Sequence, residues 1–334
     1  MNMKAVEGVD WRKIIKQYQP EVGRSVWQMV NTLVPYIGLF ALMLWMVNAG
    51  ISYWWVLLLS IPTAGFMVRT FIIFHDCGHG SFFKSRKANM VVGIITGILT
   101  FTPWELWWHE HNVHHASAGN LDKRGTGDVD TWTVEEYLAA PWWKKFAYRV
   151  MRNPIFMFTV GAMTVFAIVK RVPLPSHSKK EKASIWWTNA ALAALIAGII
   201  LVAGWRAYLL VQLPVFMLGT SAGVWMFYVQ HNYDGVYWER QENWDFYKAA
   251  LDGSSFYELP AILQWFTGNI GFHHIHHLGS RIPNYKLQQC FEENPLFQVK
   301  SMTFWSSFKT LRLRLWDEAK KKMVGWEGLK DYTS

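Results

Sequence analysis

A chain of 334 residues could hold two ordinary soluble domains, but 51% hydrophobic residues, 21 tryptophans and only 17% charged residues do not describe one. The same figures exclude a disordered chain; 24 glycines and 12 prolines exclude a collagen-like repeat, and two distant cysteines, Cys77 and Cys290, exclude a disulfide framework and suit a reducing compartment. A net charge of +9 on so apolar a chain points to anionic lipid or an acidic protein, not to nucleic acid.

A helix needs about 20 apolar residues to cross roughly 30 Å of hydrocarbon. Four segments qualify, in two pairs. Residues 27–48 and 51–74 are joined at Asn48-Ala49-Gly50, and residues 185–203 and 208–229 by Gly204-Trp205-Arg206-Ala207. Trp54, Trp55, Trp186, Trp187 and Trp205 fall where amphipathic rings sit at lipid headgroups. Residues 90–100 and 155–169 are apolar but short or interrupted, and read as interfacial or buried helices. Arg12, Lys13, Lys16 and Arg24 precede the first pair, many Lys and Arg residues fill 75–184, and the hairpin turns hold only Arg206. The positive-inside tendency therefore places the N-terminus, segment 75–184 and segment 230–334 in the cytoplasm. The polar stretch Met1–Gly23 shows no cleavable signal peptide. The expectation is a multi-pass, all-α integral membrane protein of the cell membrane with four transmembrane helices in two hairpins under a cytoplasmic helical cap.

Histidine is the informative residue: ten of the 12 fall in four short clusters. Three are boxes, His75-Asp76-Cys77-Gly78-His79, His111-Asn112-Val113-His114-His115 and His273-His274-Ile275-His276-His277; the fourth is His231, placed after the fourth span as His75 is placed after the second. Histidines at i, i+3 or i+4 share one side of a helix, so each box offers two or three imidazoles to a common point. So many imidazoles have no packing purpose, given their desolvation and like-charge costs. Nine exceed one tetrahedral zinc site and suit two metals with open positions, and an all-nitrogen pair of this kind points to iron.

The boxes HDCGH, HNVHH and HHIHH, in this order relative to the spans, resemble those of the membrane-bound fatty acid desaturases. Segments 117–128, 229–231 and 267–273 are similar to the bacterial acyl-lipid desaturases and, among these, to the Bacillus-type phospholipid delta-5 desaturases. The resemblance covers nearly the whole chain and implies a single desaturase domain over 1–334. It implies a di-iron centre that uses dioxygen and two electrons from a separate reduced ferredoxin or flavodoxin to place a cis double bond in a phospholipid acyl chain. It makes His75, His79, His111, His114, His115, His231, His273, His276 and His277 the metal ligands, with no catalytic residue beyond them.

The other candidates have quieter expected roles. Cys77 lies between ligands spaced i, i+4 and points off their face; His109 reads as an outer or surface residue, His274 as the variable position of its box, and His177 as solvated. Asp76, Glu110, Asp122, Asp128 and Asp130 are the carboxylates nearest in sequence that could fix an imidazole, each read singly as surface charge or turn chemistry. Asn269 stands four residues before His273, a helical offset. Trp104, Trp107, Trp108, Phe82, Phe83, Trp265 and Phe272 are candidate substrate walls. Arg124, Lys144, Lys145, Arg281 and Lys286 could meet lipid phosphate or an acidic donor. Two alternatives stay open: a di-iron lipid hydroxylase with the same core, and a divalent-metal transporter, whose ligands would lie near the bilayer midplane rather than beyond the spans.

Overall fold

A computed structural model describes residues 9–299 and 301–332. Residues 1–8 of the polar N-terminal stretch therefore lie outside the described residues. Three expected spans sit inside longer helices, Val22–Asn48, Lys179–Ala203 and Trp205–His231, and the fourth, 51–74, starts two residues late at Tyr53 and runs on to His79. The second hairpin turn shrinks to Gly204 alone, whose φ of 84° reverses the chain and lets the next helix begin at Trp205 rather than Tyr208. Prolines 35, 62 and 214 lie inside these helices. At 1.5 Å per residue a 27-residue helix is about 40 Å long, more than the roughly 30 Å of hydrocarbon. Both Tyr53–His79 and Trp205–His231 thus carry surplus turns, and the histidines occupy them.

Two departures from expectation follow from local chemistry. Pro154–Arg171, read from sequence as interfacial or buried, is also long and apolar enough to cross a membrane, making five such helices among the described residues. It starts where the Asn153 side chain accepts from the backbone N–H groups of Ile155 and Phe156, and its interruption is absorbed by a π turn at Met157–Gly161. Arg86–Leu99 and Trp104–Ser117 would add a sixth only as one broken span, since they bend by 101° across a break holding Phe101 at φ 58° and Pro103. The chain is also not purely α. Phe256–Glu258 pairs in parallel with Ser301–Thr303, and Leu315–Asp317 in antiparallel with Lys322–Val324; three-residue strands leave no alternation to read.

The non-spanning segments gather at one end of the long helices. Trp11 and Tyr18 share a buried cluster with Tyr228, Ile275 and Leu278, and a Cβ on Gly279 would come 2.7 Å from Ile15. Val134, Tyr137 and Tyr148 of the middle segment pack with Leu315 and Val324 of the last one, and the Tyr148 hydroxyl donates to the Arg314 carbonyl at 2.7 Å. Around the long helices Trp27, Trp45, Trp54, Trp186, Trp187 and Trp205 are exposed, as lipid-facing rings at a headgroup level would be.

Candidate metal centre

The helix Tyr53–His79 continues unbroken through the first box, so His75 and His79 stand one turn apart on one face. Gly80, at φ 67°, ends it: its N–H donates to the Cys77 carbonyl and that of Ser81 to the Asp76 carbonyl, both at 3.0 Å. The second box lies on Trp104–Ser117 and the third on the short helix His273–Leu278, whose residues are all buried. Helical rotation then divides the boxes. His111 and His115 face one way with His276, joining His75 and His79; His114 faces the other way, joining His231, His273 and His277. The result is one group of five imidazoles and one of four, each with a donor nitrogen per residue within 4.8 Å of the others.

Close contacts run through both groups. In the first, His115 Nε2 is 3.1 Å from His111 Nε2 and 3.0 Å from His276 Nε2. In the second, His231 Nε2 is 3.2 Å from His114 Nε2 and 2.9 Å from His273 Nε2, which lies 3.2 Å from His277 Nε2. Two nitrogens each about 2.1 Å from one metal and at right angles stand about 3.0 Å apart.

The protons decide what these contacts mean. The Asp128 carboxylate lies 2.5 Å from His114 Nδ1, and the Gly253 carbonyl 3.1 Å from His231 Nδ1. Both partners only accept, which assigns a proton to each Nδ1 and, in neutral imidazoles as metal ligation requires, leaves lone pairs on the Nε2 atoms that face each other. Two lone pairs at 3.2 Å repel unless a cation lies between them. In the first group His79 Nε2 is buried with no hydrogen-bond partner at all. Burial first, then the neighbouring imidazoles, pushes His111, His115, His273, His276 and His277 well below the usual histidine range, which keeps them neutral as metal ligands must be. The donor sets fit two transition-metal ions.

The remaining candidates separate cleanly. Asp76 and Asp128 touch imidazoles: Asp76 lies 3.2 Å from His75 Nδ1 and also accepts from the backbone and side-chain amides of Asn284, at 2.7 and 2.8 Å. Glu110 pairs instead with Lys170, and Asp122 with Arg240. Cys77 is buried with Ile73 and Phe82, away from both groups. His274 donates Nε2 to the Phe297 carbonyl at 2.9 Å, and His109 is half exposed near Glu181. His177 is half-buried rather than solvated, its Nδ1 accepting from the Leu174 N–H. The helical offset expected of Asn269 fails, because residues 267–271 form turns with Asn269 at φ 59° and its amide reaches the Asn284 carbonyl. Arg124 and Lys286 are engaged by Glu136 and Glu21, not free to meet a partner.

Beside the groups lies a cavity of about 460 Å³, within the size range of ligand pockets. His75, His111 and His273 line it, and it extends along Phe71, Val68 and Met67 on one long helix and Phe227, Gly223 and Gly219 on another. Of the expected wall aromatics only Trp107 lines it. Phe272 stacks on Phe256, and Trp265 covers the buried Arg69 guanidinium at 4.0 Å. Sequence reading missed Phe71, Phe156, Phe166 and Phe227 and the cations Arg152 and Lys170, because the wall is assembled from six separate helices. For Phe71 and Phe227 the available signal was their position four residues before His75 and His231.

A family-wide sequence profile described as "Fatty acid desaturase" matches residues 52–307. A fatty acid desaturase of Bacillus subtilis (strain 168) is 47% identical over 313 residues, covering 93% of this chain and 88% of that protein. More distant are an sn-1 acyl-lipid omega-3 desaturase (ferredoxin) of Synechocystis sp., 26% identical with 71% of this chain and 70% of that protein covered, and an sn-1 oleoyl-lipid 12-desaturase of Anabaena variabilis, 28% identical with 86% and 85% covered. The chain belongs to the fatty acid desaturase family, oxidoreductases that act on lipid acyl chains.

Proposed function

We propose that this enzyme places a cis double bond, at carbon five, in the acyl chain of a membrane phospholipid, with His75, His79, His111, His115 and His276 holding one iron and His114, His231, His273 and His277 the other. The observation that carries the reading is the facing pair of lone-pair nitrogens on His114 and His231, repeated in kind through both groups at the head of one apolar cavity. When bound, two irons supply from dioxygen an oxidant strong enough to remove hydrogen from an unactivated methylene, which a zinc hydroxide does not. The chain does the rest. Asp128 and the Gly253 carbonyl hold protons on Nδ1 so that Nε2 stays a donor, Asp76 orients His75, and Phe71, Trp107 and Phe227 confine an acyl chain and exclude water beside the histidines.

Parity supports four crossings. His79 and His231 converge, so their helices end on the same side; Gly204 alone separates Lys179–Ala203 from Trp205–His231, so Lys179 also begins on that side. Between His79 and Lys179 the number of crossings is then even, and the bent pair returns its histidines to the groups, leaving Pro154–Arg171 in the interface or re-entrant rather than crossing. The Lys and Arg bias supports a cytoplasmic position for this side and both termini in a cell-membrane protein, and cores shared between distant segments of the described residues support reading 1–334 as one domain. The likeness to the Synechocystis omega-3 desaturase (ferredoxin) supports reduced ferredoxin, or a flavodoxin of like potential, as donor, with exposed Lys144 and Arg281 as basic contacts.

The test is metal analysis of the active purified protein followed by mass spectrometry of the derivatised lipid product. Two irons per chain and a double bond at carbon five are expected. Stoichiometric zinc or a single iron at full activity overturns the centre; a hydroxylated product moves the enzyme to the oxygen-inserting class, and a bond elsewhere corrects the position.

A further inference from the structure

One cation of the cavity wall has no role in the reading above. Arg152 caps the C-terminal end of the helix Trp142–Met151 and is only 2% exposed, yet it lines the cavity. Its Nη2 donates to Asn232 Oδ1 at 2.7 Å and to the Leu313 carbonyl at 3.3 Å, and its guanidinium stands 5.3 Å from the centre of the Tyr228 ring. Nε and Nη1 are buried and have no hydrogen-bond partner. A buried charged donor left unpaired is costly, so two such donor nitrogens on one fork call for an acceptor.

The place of the fork narrows the acceptor. Tyr228 and Asn232 flank His231 on its own helix end, so the guanidinium is held at the end of the cavity wall that leads to His231, while the apolar wall runs away from it toward Gly219. Glu110, Asp128 and Asp130 line the same cavity, and Lys170 already answers Glu110. A phosphate would meet those carboxylates in a low-dielectric space, whereas a neutral carbonyl oxygen accepts from the fork without adding charge.

We propose that Arg152 binds the ester carbonyl oxygen of the substrate acyl chain through Nε and Nη1, and so fixes the reacting carbons by counting a few methylenes from the ester. The inference rests on the acyl-lipid reading and adds to it a residue that sets the bond position. The methyl end then lies along Phe71, Phe227 and Gly219.

The experiment compares an ester-linked phospholipid with its ether-linked analogue of equal chain length, using the full-length enzyme in membranes with a reduced donor. For the wild type, kcat/KM favours the ester by roughly ten- to a hundredfold, the contribution of a hydrogen bond from a charged donor. Arg152→Gln loses that preference, and its remaining product carries the double bond spread over neighbouring positions, while its iron content is unchanged. A purely structural arginine would lower both rates together and leave the ratio alone. Equal wild-type rates on the two lipids overturn the proposal, as does a variant that keeps both ratio and bond position. Should Arg152→Gln not accumulate, Arg152→Lys decides, since an ammonium cannot reproduce the fork; an unchanged ratio there also overturns it. If the wild type converts only a coenzyme A ester, the acyl-lipid reading fails, and the same ratio taken between thioester and S-alkyl analogues still tests Arg152.

Discussion

The Nε2 atoms of His114 and His231 face each other at 3.2 Å as two lone pairs, because the Asp128 carboxylate and the Gly253 carbonyl hold the protons on the opposite nitrogens. The residues are 117 positions apart. A metal cation shared by the two nitrogens removes their repulsion, and the contact ties the end of the helix Trp205–His231 to the second histidine box.

His231→Ala therefore removes a donor shared by two contacts of the four-histidine group. Iron in the purified protein should fall from two per chain toward one, and turnover should be lost. His177→Ala, altering a residue bonded only within its turn, should change neither. Normal iron and activity in the His231 variant would take it out of the centre.

Asp128→Asn keeps the shape of the His114 contact but exchanges a carboxylate acceptor for an amide. Partners of this kind typically contribute ten- to a hundredfold in metal affinity, so iron should be lost to a chelator roughly that much more readily. Asp122→Asn is the control: Asp122 pairs with Arg240 in a partly exposed ion pair that solvent screens and that touches no imidazole. Equal chelator sensitivity in the two variants would refute the role of Asp128.

The long helices and the convergence of the nine histidines were legible in the sequence because both rest on local spacing: about 20 apolar residues, and imidazoles at i, i+3 and i+4. What spacing could not give was the division into five and four. His114 leaves its box-mates because the boxes come from different helices, and only their packing decides which face meets which group. Asp128 was indistinguishable from a turn residue for the same reason, standing 14 positions from the imidazole it holds. Gly80, by contrast, ends the first box through a backbone conformation that the HDCGHG sequence announces. Phe256–Glu258 pairs with a distant segment and Leu315–Asp317 with the nearby Lys322–Val324, and three-residue strands carry no alternation that marks either in the sequence.

His274 sits inside the third box yet serves the fold. It is fully buried, burial pushes it down to about 4, and its Nε2 donates to the Phe297 carbonyl. His274→Leu should leave that carbonyl unpaired and cost about 1–3 kcal/mol of stability, read as a lower unfolding temperature, with two irons still bound. Loss of one iron without loss of stability would make it a ligand instead.

The cavity wall offers a test of chain accommodation that spares the histidines. Gly219, Gly223 and Phe227 recur every fourth residue along the helix Trp205–His231, with Thr220 and Val224 beside them, and all five line the cavity. A Cβ on Gly219 would lie 2.8 Å from the Met67 sulfur, so a larger residue there strains the packing of two long helices. At Gly223 a Cβ meets nothing within 4 Å, so the side chain of Gly223→Leu has room, and this room is the cavity itself. Leucine also favours a helix interior over glycine by up to about 1 kcal/mol, so folding is not the obstacle. The variant should therefore bind two irons and unfold no earlier than the wild type. Turnover of the longest acyl chains should fall roughly tenfold or more, on the scale of a 1–3 kcal/mol overpacking cost, while shorter chains are spared. Mass spectrometry of products from lipids of graded chain length reads this directly. A uniform loss across all lengths would mean that the stripe supports the centre rather than the chain, and no loss at any length would place the acyl chain elsewhere.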